Sequence, residues 1–189
     1  MNREALIRIV SEQMPEKRWD HTLGVMSSAV YLAKKYDANP QRAELAAILH
    51  DLAKYWSADQ QKQSIIDDGR ALELLQYEQA LWHAEAGAIT AERQLGITDE
   101  EVLQAIRYHT TGRVKMTKLE KIVCLADYIE PGRHYPGVDL IREQADISLE
   151  HGLVAALDHT MQFLIGQRKK IYPLTLEARN DLIDQIATS

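Results

Sequence analysis

Apolar residues recur along this chain at the three- and four-residue intervals that are typical of amphipathic helices. The alternation of apolar and polar positions between hairpin turns, which would indicate strands, is missing from the sequence. The pattern therefore predicts an all-α fold. The predicted helices cover residues 3–14, 16–36, 40–54, 58–68, 83–95, 99–109, 118–129, 139–166 with a break near His151, and 176–187.

Length and composition indicate one globular domain over residues 1–189. The chain contains no internal repeat, no low-complexity tract and no linker rich in Gly, Ser or Pro. Apolar residues make up 46% and charged residues 26% of the chain, which is the profile of a folded protein rather than a disordered one. We expect a single-domain helical bundle.

The charge balance and the N-terminal sequence exclude some partners. A net charge of −6 argues against broad nucleic-acid binding, which needs a basic face to displace counterions from phosphates. The first residues form no apolar run that could serve as a signal peptide or a membrane span. Cys124 is the single cysteine, so no internal disulfide can form, and this favours a reducing, cytoplasmic location.

Six side chains of metal-binding type lie within short apolar stretches of the chain. In order they are His21, His50, Asp51, His83, His109 and Asp127. The successive histidines and the final aspartate are separated by 29, 33, 26 and 18 residues, counting His50 and Asp51 as one position. Such gaps fit one position on each of several helices that converge in a bundle, which is how helical proteins build metal sites. One buried histidine alone would be an ordinary hydrogen-bonded side chain, but the ordered set indicates a metal site.

The residues around these positions resemble a known family. The resemblance lies in residues 49–54, 108–112 and 121–133, the last of which ends in Tyr-Ile-Glu-Pro-Gly-Arg. These segments resemble HD-domain metal-dependent phosphohydrolases, and most closely the bacterial YqeK family of symmetrical diadenosine tetraphosphate hydrolases. The resemblance implies a helical bundle of the HD-domain type, with a core of about residues 15–130 and C-terminal helices that complete a nucleotide pocket.

The resemblance also implies a metal centre. It assigns the first metal to His21, His50, Asp51 and Asp127, with His50 and Asp51 reaching the ion from one helix. This set of nitrogen and oxygen donors suits iron, manganese, cobalt or zinc, and the resemblance implies iron. His83 and His109 either hold a second metal, with Asp51 bridging, or contact substrate phosphate; phosphate contact is the favoured interpretation.

The implied reaction is hydrolysis of diadenosine tetraphosphate to two ADP. A metal lowers the pKa of bound water enough to supply the hydroxide that attacks a phosphoanhydride phosphorus. Catalytic roles are expected for Asp51, Lys54, His83 and His109, with Lys54 close to Asp51 on the predicted helix surface. The resemblance further implies a homodimer. The residues expected to bind substrate or ADP are Arg18, His21, His83, His109, Thr110, Arg133, His134, Lys169, Lys170, Ile171, Tyr172, Pro173 and Leu174.

Two alternatives stay open on the sequence. The first is another enzyme of the same superfamily, a nucleotidase or deoxynucleotide phosphohydrolase. The second is a non-catalytic helical domain that holds a structural ion or senses a nucleotide. Six candidate ligands exceed what a structural ion usually takes, because such sites are mostly four-coordinate. This count favours an enzyme.

Overall fold

The computed structural model describes residues 3–188, which form ten α-helices and two short 3₁₀ helices and contain no strand. The all-α prediction is confirmed. The α-helices are α1 (Arg3–Ser11), α2 (Glu16–Lys35), α3 (Pro40–Leu49), α4 (Ala58–Asp68), α5 (Trp82–Arg93), α6 (Glu100–Arg107), α7 (Lys118–Ile129), α8 (Val138–Ile147), α9 (Leu149–Gly166) and α10 (Pro173–Ala187). The 3₁₀ helices are Leu72–Gln76 and Gln79–Leu81.

Helix α7 forms the centre of the bundle. Every residue from Leu119 to Ala126 is buried, so the helix is enclosed on all sides rather than on one face. It packs against α2, α3, α6, α8 and α9. Thr117 caps its N-terminus, where the side-chain oxygen accepts a hydrogen bond from the Glu120 N–H. Asp127 lies on this central helix, two residues before its C-terminal end.

The predicted long helix over residues 139–166 is two helices, and its break lies three residues before the predicted position. Ser148 has an extended backbone and its side-chain oxygen accepts from the His151 N–H, so it is the N-cap of α9. The last helix begins at Pro173 rather than at residue 176, because proline fits the first turn of a helix. At the N-terminus, α1 ends at Ser11, three residues before the prediction.

Two helices end earlier than predicted, just before candidate metal ligands. Helix α3 ends at Leu49 rather than at residue 54, and α6 ends at Arg107 rather than at residue 109. His50 and His109 therefore lie in the turns that follow these helices. Each imidazole Nδ1 lies against a carbonyl oxygen of the preceding turn, at 2.6 Å from Ala47 and 2.7 Å from Ile106. The ring nitrogen thus satisfies a carbonyl near the end of the helix.

Candidate active site

Five segments of the bundle bring the six candidate ligands together. His21 comes from the second turn of α2, His83 from the first turn of α5 and Asp127 from the end of α7. The turns after α3 and α6 supply the other three. The imidazoles form a continuous row, in which neighbouring ring centroids are 5.7 Å (His21–His50), 5.1 Å (His50–His109) and 5.1 Å (His109–His83) apart. The convergence expected from the sequence spacing is present.

Asp51 lies in the middle of this row, and its side chain is fully buried. Its Oδ2 is 3.0 Å from His50 Nε2 and 4.0 Å from His21 Nε2. Its Oδ1 is 3.1 Å from His83 Nε2 and 3.9 Å from His109 Nε2. The two carboxylate oxygens therefore face two different pairs of imidazoles. Asp51 connects the two halves of the site.

The turn after α3 explains how neighbouring residues reach the same centre. Residues 50–55 are a turn, with Leu52 N–H donating to Leu49 O and Lys54 N–H to Asp51 O. Adjacent residues of an α-helix would point about 100° apart, as 3.6 residues per turn requires. The expectation that His50 and Asp51 act from one helix, and that Lys54 follows on its surface, was wrong. The turn frees both side chains to face inward.

Several buried ligand atoms at this centre have no hydrogen-bond partner outside the candidate ligands. Within the described residues, the polar atoms nearest to His21 Nε2, His50 Nε2 and Asp51 Oδ1 belong to other members of the set. Buried polar atoms are normally hydrogen-bonded to other groups because their desolvation is costly. The ligand atoms of His21, His50 and Asp51 lie within 4.8 Å of one another, as do those of Asp51, His83 and His109. This donor set fits a divalent metal ion.

Asp127 lies beside the first of these groups. Its Oδ1 is 2.9 Å from His21 Nε2. Although burial acts to raise the pKa of the Asp127 carboxyl, the hydrogen bond with His21 and the charge of Arg133 lower it well below its usual value. The group is therefore an anion at neutral pH, as a metal ligand requires.

Three of the histidines around Asp51, namely His50, His83 and His109, are neutral at neutral pH. Burial, together with the Lys54 ammonium, lowers the pKa of His83 to about 3. Burial and the neighbouring His83 lower the pKa of His109 to about 3, and burial and His109 lower that of His50 well below its usual value. Their ring nitrogens carry lone pairs that can bind a metal or accept a proton.

Three cations surround the cluster. Arg18 donates to Asp51 Oδ2, and Arg133 donates through Nε to the Asp127 carbonyl at 2.8 Å and through Nη2 to Asp127 Oδ1. Lys54 Nζ lies 3.3 Å from His83 Nε2. Burial and the nearby Arg18 charge lower the pKa of Lys54 to about 8, so it is mostly protonated at neutral pH. The carboxylates of the centre thus hold two of the three cations beside the cluster.

Glu130 is a site residue that the sequence reasoning missed. Its buried carboxylate lies with Oε1 3.0 Å from His21 Nδ1, and Oε2 accepts from the Gly132 N–H at 2.6 Å. Gly24 and Gly132 make room for it, because a Cβ at either position would press against its oxygens. A signal was available: Glu130 follows Asp127 by one helical turn, and Gly24 follows His21 by the same interval.

Six of the predicted substrate-binding residues line one of two cavities. Thr110, Tyr172 and Leu174 line a partly open cavity of about 400 Å³, here called the Tyr172 cavity. Arg18, His21 and Arg133 line an open groove of about 720 Å³, here called the Tyr55 groove. The Tyr172 cavity contains unpaired polar atoms on Gln104 (Oε1), Arg107 (Nη2) and Thr110 (Oγ1). The Tyr55 groove is also lined by Pro15, Lys17, Asp20, Gly24, Tyr55, Glu130, Pro131 and Gly132.

The C-terminal segment packs on the 3₁₀ helix Leu72–Gln76 and on Glu78, and the sequence pattern did not predict either 3₁₀ helix. Lys169 Nζ bonds Glu78 at 2.9 Å, Lys170 Nζ donates to the Gln76 carbonyl, and the Tyr172 hydroxyl donates to Glu73. Lys169, Lys170 and Pro173 are exposed, and Ile171 is half-buried. Two of the six predicted residues of this segment line the Tyr172 cavity. His134 is exposed and lines neither cavity.

Residues 18–132 match the HD domain family, and this range contains all six candidate metal ligands. The protein belongs to the HD-domain family of hydrolases. Its helical architecture and its His/Asp cluster are those expected from the resemblance. Among the helices described in residues 3–188, none is both long enough and apolar enough to cross a membrane.

Relatives show to which branch of this family the chain belongs. A symmetrical bis(5'-nucleosyl)-tetraphosphatase of Bacillus subtilis (strain 168) is 43% identical over 97% of this chain and 98% of its own length. The protein of that name from Halalkalibacterium halodurans is 45% identical over the same shares. A Clostridium acetobutylicum crystal structure, described as a predicted HD superfamily hydrolase involved in NAD metabolism, matches with a TM-score of 0.94, 39% identity and 98% coverage of both chains. Within the HD-domain family, the chain belongs to the symmetrical bis(5'-nucleosyl)-tetraphosphatases.

Proposed function

We propose that this protein hydrolyses diadenosine tetraphosphate symmetrically to two molecules of ADP. The observation that carries the proposal is the buried cluster around Asp51, whose nitrogen and oxygen atoms converge beside three cations, Arg18, Lys54 and Arg133. The relatives named symmetrical tetraphosphatase, which align over nearly the whole chain, support the choice of substrate.

His21, His50, Asp51 and Asp127 would hold the metal. A bound ion there would polarise the phosphoryl group and lower the pKa of water near neutral pH. We propose iron as the resident ion, with manganese, cobalt and zinc as alternatives. The donor set contains only nitrogen and oxygen atoms, which suits all four of these ions. The thiol of Cys124 is buried in α7 and belongs to neither group of candidate ligands.

We propose that His83 and His109 contact substrate phosphate. The group formed with Asp51 also fits a second ion, so the number of ions is part of the proposal. The Lys54 ammonium, 3.3 Å from His83 Nε2, favours phosphate, because a second dication would stand next to a positive charge. Phosphate oxygens would instead be attracted to the ammonium and accept hydrogen bonds from it.

Lys54, Arg18 and Arg133 would stabilise the charge that develops on the nonbridging oxygens. In the reaction, water adds to one of the two central phosphorus atoms. The bond between that phosphorus and the oxygen that bridges the two central phosphorus atoms breaks. One ADP then leaves as an anion, and the water proton passes to solvent. Donors fixed before the reaction act without further reorganisation, and removing one such donor typically costs about 10²–10³ in kcat. Because Arg18 and Arg133 are paired with Asp51 and Asp127, they are already in place.

One nucleoside would occupy the Tyr172 cavity. Thr110, next to His109, connects this cavity to the phosphate end of the site. The unpaired atoms of Gln104 and Arg107 offer an acceptor and a donor to a base. The C-terminal helices would thereby complete the nucleotide pocket around a core of about residues 15–130, with Lys169, Lys170, Ile171 and Pro173 supporting the segment.

We also propose a cytoplasmic homodimer that binds neither nucleic acid nor membranes. The net charge of −6 supports the absence of nucleic-acid binding. The free thiol of Cys124 is compatible with a reducing compartment. Size-exclusion chromatography with light scattering tests the dimer, and a monomer across the micromolar range would contradict it.

Product analysis tests the proposed function. Purified protein loaded with Fe²⁺ is incubated with diadenosine tetraphosphate, and the nucleotides are separated by ion-exchange chromatography. We expect ADP as the single nucleotide product, with loss of turnover in Asp51→Asn. AMP together with ATP would contradict symmetrical cleavage. Turnover of nucleoside monophosphates or deoxynucleoside triphosphates alone would indicate a nucleotidase or a deoxynucleotide phosphohydrolase. If no phosphoester is turned over, the protein is a non-catalytic domain.

A further inference from the structure

A dinucleoside polyphosphate has two nucleosides, so its enzyme needs two places for them. The Tyr172 cavity accounts for one. The two oxygens of Asp51 define two sides of the centre, with His83 and His109 at Oδ1 and His21 at Oδ2. Thr110 of the Tyr172 cavity follows His109 directly, on the Oδ1 side.

The Tyr55 groove lies on the Oδ2 side. His21 forms part of its lining, and so do Arg18 and Arg133, the two cations paired with Asp51 and Asp127. The Nε atom of Arg18 is buried and has no hydrogen-bond partner among the described residues. A phosphate chain that passes the centre from the Tyr172 cavity would therefore enter this groove between two arginines.

The groove has the size and chemistry of a nucleoside site. Its volume of about 720 Å³ lies within the roughly 300–1,000 Å³ that small-molecule sites occupy. The ring of Tyr55 is 53% exposed and has no aromatic or hydrogen-bonding partner within residues 3–188. Lys17 adds an exposed cation, and Pro131 adds a rigid apolar surface. An exposed aromatic ring beside cations is a stacking platform for a base on a phosphate chain.

We propose that the Tyr55 groove binds the second nucleoside of the substrate, with its base stacked on Tyr55 and its phosphates between Arg18 and Arg133. This inference rests on the proposed function. It also explains symmetrical cleavage, because a nucleoside held on each side of Asp51 places the middle of the phosphate chain over the metal cluster.

The test compares two substrates that share a tetraphosphate chain but differ in the number of nucleosides. Diadenosine tetraphosphate has two, and adenosine 5'-tetraphosphate has one. The variants are Tyr55→Ala, Tyr55→Leu and Tyr55→Phe, with Tyr31→Ala as the control, since Tyr31 is 58% exposed and lies outside the groove. Circular dichroism melting checks that each variant folds, and Tyr55→Leu keeps bulk at the site without an aromatic ring.

Stacking of one base on an aromatic side chain is worth about 1–3 kcal/mol, or about 5- to 150-fold. We expect the ratio of kcat/KM for the two-nucleoside substrate to that for the one-nucleoside substrate to fall by this factor in Tyr55→Ala and Tyr55→Leu. Tyr55→Phe and Tyr31→Ala should keep the wild-type ratio. Wild-type turnover to ADP with an unchanged ratio in both ring-deleting variants would overturn the subsite alone. Wild-type protein that forms no ADP would overturn the proposed function, and the subsite with it.

Discussion

Glu130 offers a direct test of how the metal cluster is held in place. Its Oε1 lies 3.0 Å from His21 Nδ1, and its Oε2 accepts from the Gly132 N–H at 2.6 Å. A histidine that binds metal through one ring nitrogen usually donates its other N–H to such an acceptor, which fixes the ring and its tautomer. Glutamine has nearly the same shape as glutamate, so Glu130→Gln alters the hydrogen bonding while the space stays filled.

The expected loss of metal affinity in Glu130→Gln follows from the number of hydrogen-bond donors that face the side chain. His21 Nδ1–H and the Gly132 N–H both need an acceptor, but an amide has one oxygen and one NH₂ group. If the NH₂ faces His21, the imidazole proton moves to Nε2, and that nitrogen can no longer bind a metal. If it faces Gly132, two N–H donors meet. Loss of such an outer partner typically lowers metal affinity about 10- to 100-fold, which corresponds to about 1.4–2.7 kcal/mol.

Anaerobic isothermal titration of metal-free protein with Fe²⁺ measures the affinity, and thermal unfolding of the same samples checks the fold. Glu143→Gln on α8 is the matched control, because Glu143 is exposed and contacts none of the candidate ligands within the described residues. Gly24→Ala is a second probe, since its Cβ would collide with Glu130 Oε2. Folded Glu130→Gln protein that binds Fe²⁺ within twofold of the wild type would show that Glu130 does not support metal binding by His21.

Three further predictions concern stability and reactivity. Removal of the metal with a chelator should lower the melting temperature in differential scanning fluorimetry. An ion that binds only the folded protein adds about 2.7 kcal/mol to the free energy of unfolding at 100 times its Kd. An unchanged melting temperature would contradict a metal site in the folded protein. Asp68→Asn should cost about 1 kcal/mol in urea unfolding at pH 7, since the buried Asp68 side chain bonds Arg70 and Arg93, which are half exposed. The Arg70 hydrogen bond lowers the pKa of Asp68, so its contribution is present above the unfolded value of about 3.9 and is lost as the pH falls through the lower folded value; a difference from wild type that persists undiminished at pH 2 would be inconsistent with this assignment. Burial raises the pKa of the Cys124 thiol, so iodoacetamide should label it in guanidinium chloride but not in native buffer, as followed by mass spectrometry.

The sequence predicted the all-α fold, but it did not predict where the helices end at the site. Periodic apolar residues predicted the helices around the core, since burial of one face is a local property of the chain. The extension of two predicted helices through His50 and His109 was wrong. There, each imidazole binds a carbonyl of its own last helical turn, and no propensity rule anticipates that competition.

The identity and order of the candidate metal ligands can be read from the sequence, because they are covalent properties of the chain. Which oxygen of Asp51 faces which imidazole depends on the packing of the folded chain. It also decided that Glu130, 109 residues from His21 along the chain, supports that histidine. Likewise, six of the thirteen candidate nucleotide residues line two separate cavities, which no spacing could show. Contacts of this kind depend on how several helices pack at once, and packing is a property of the whole fold rather than of any segment.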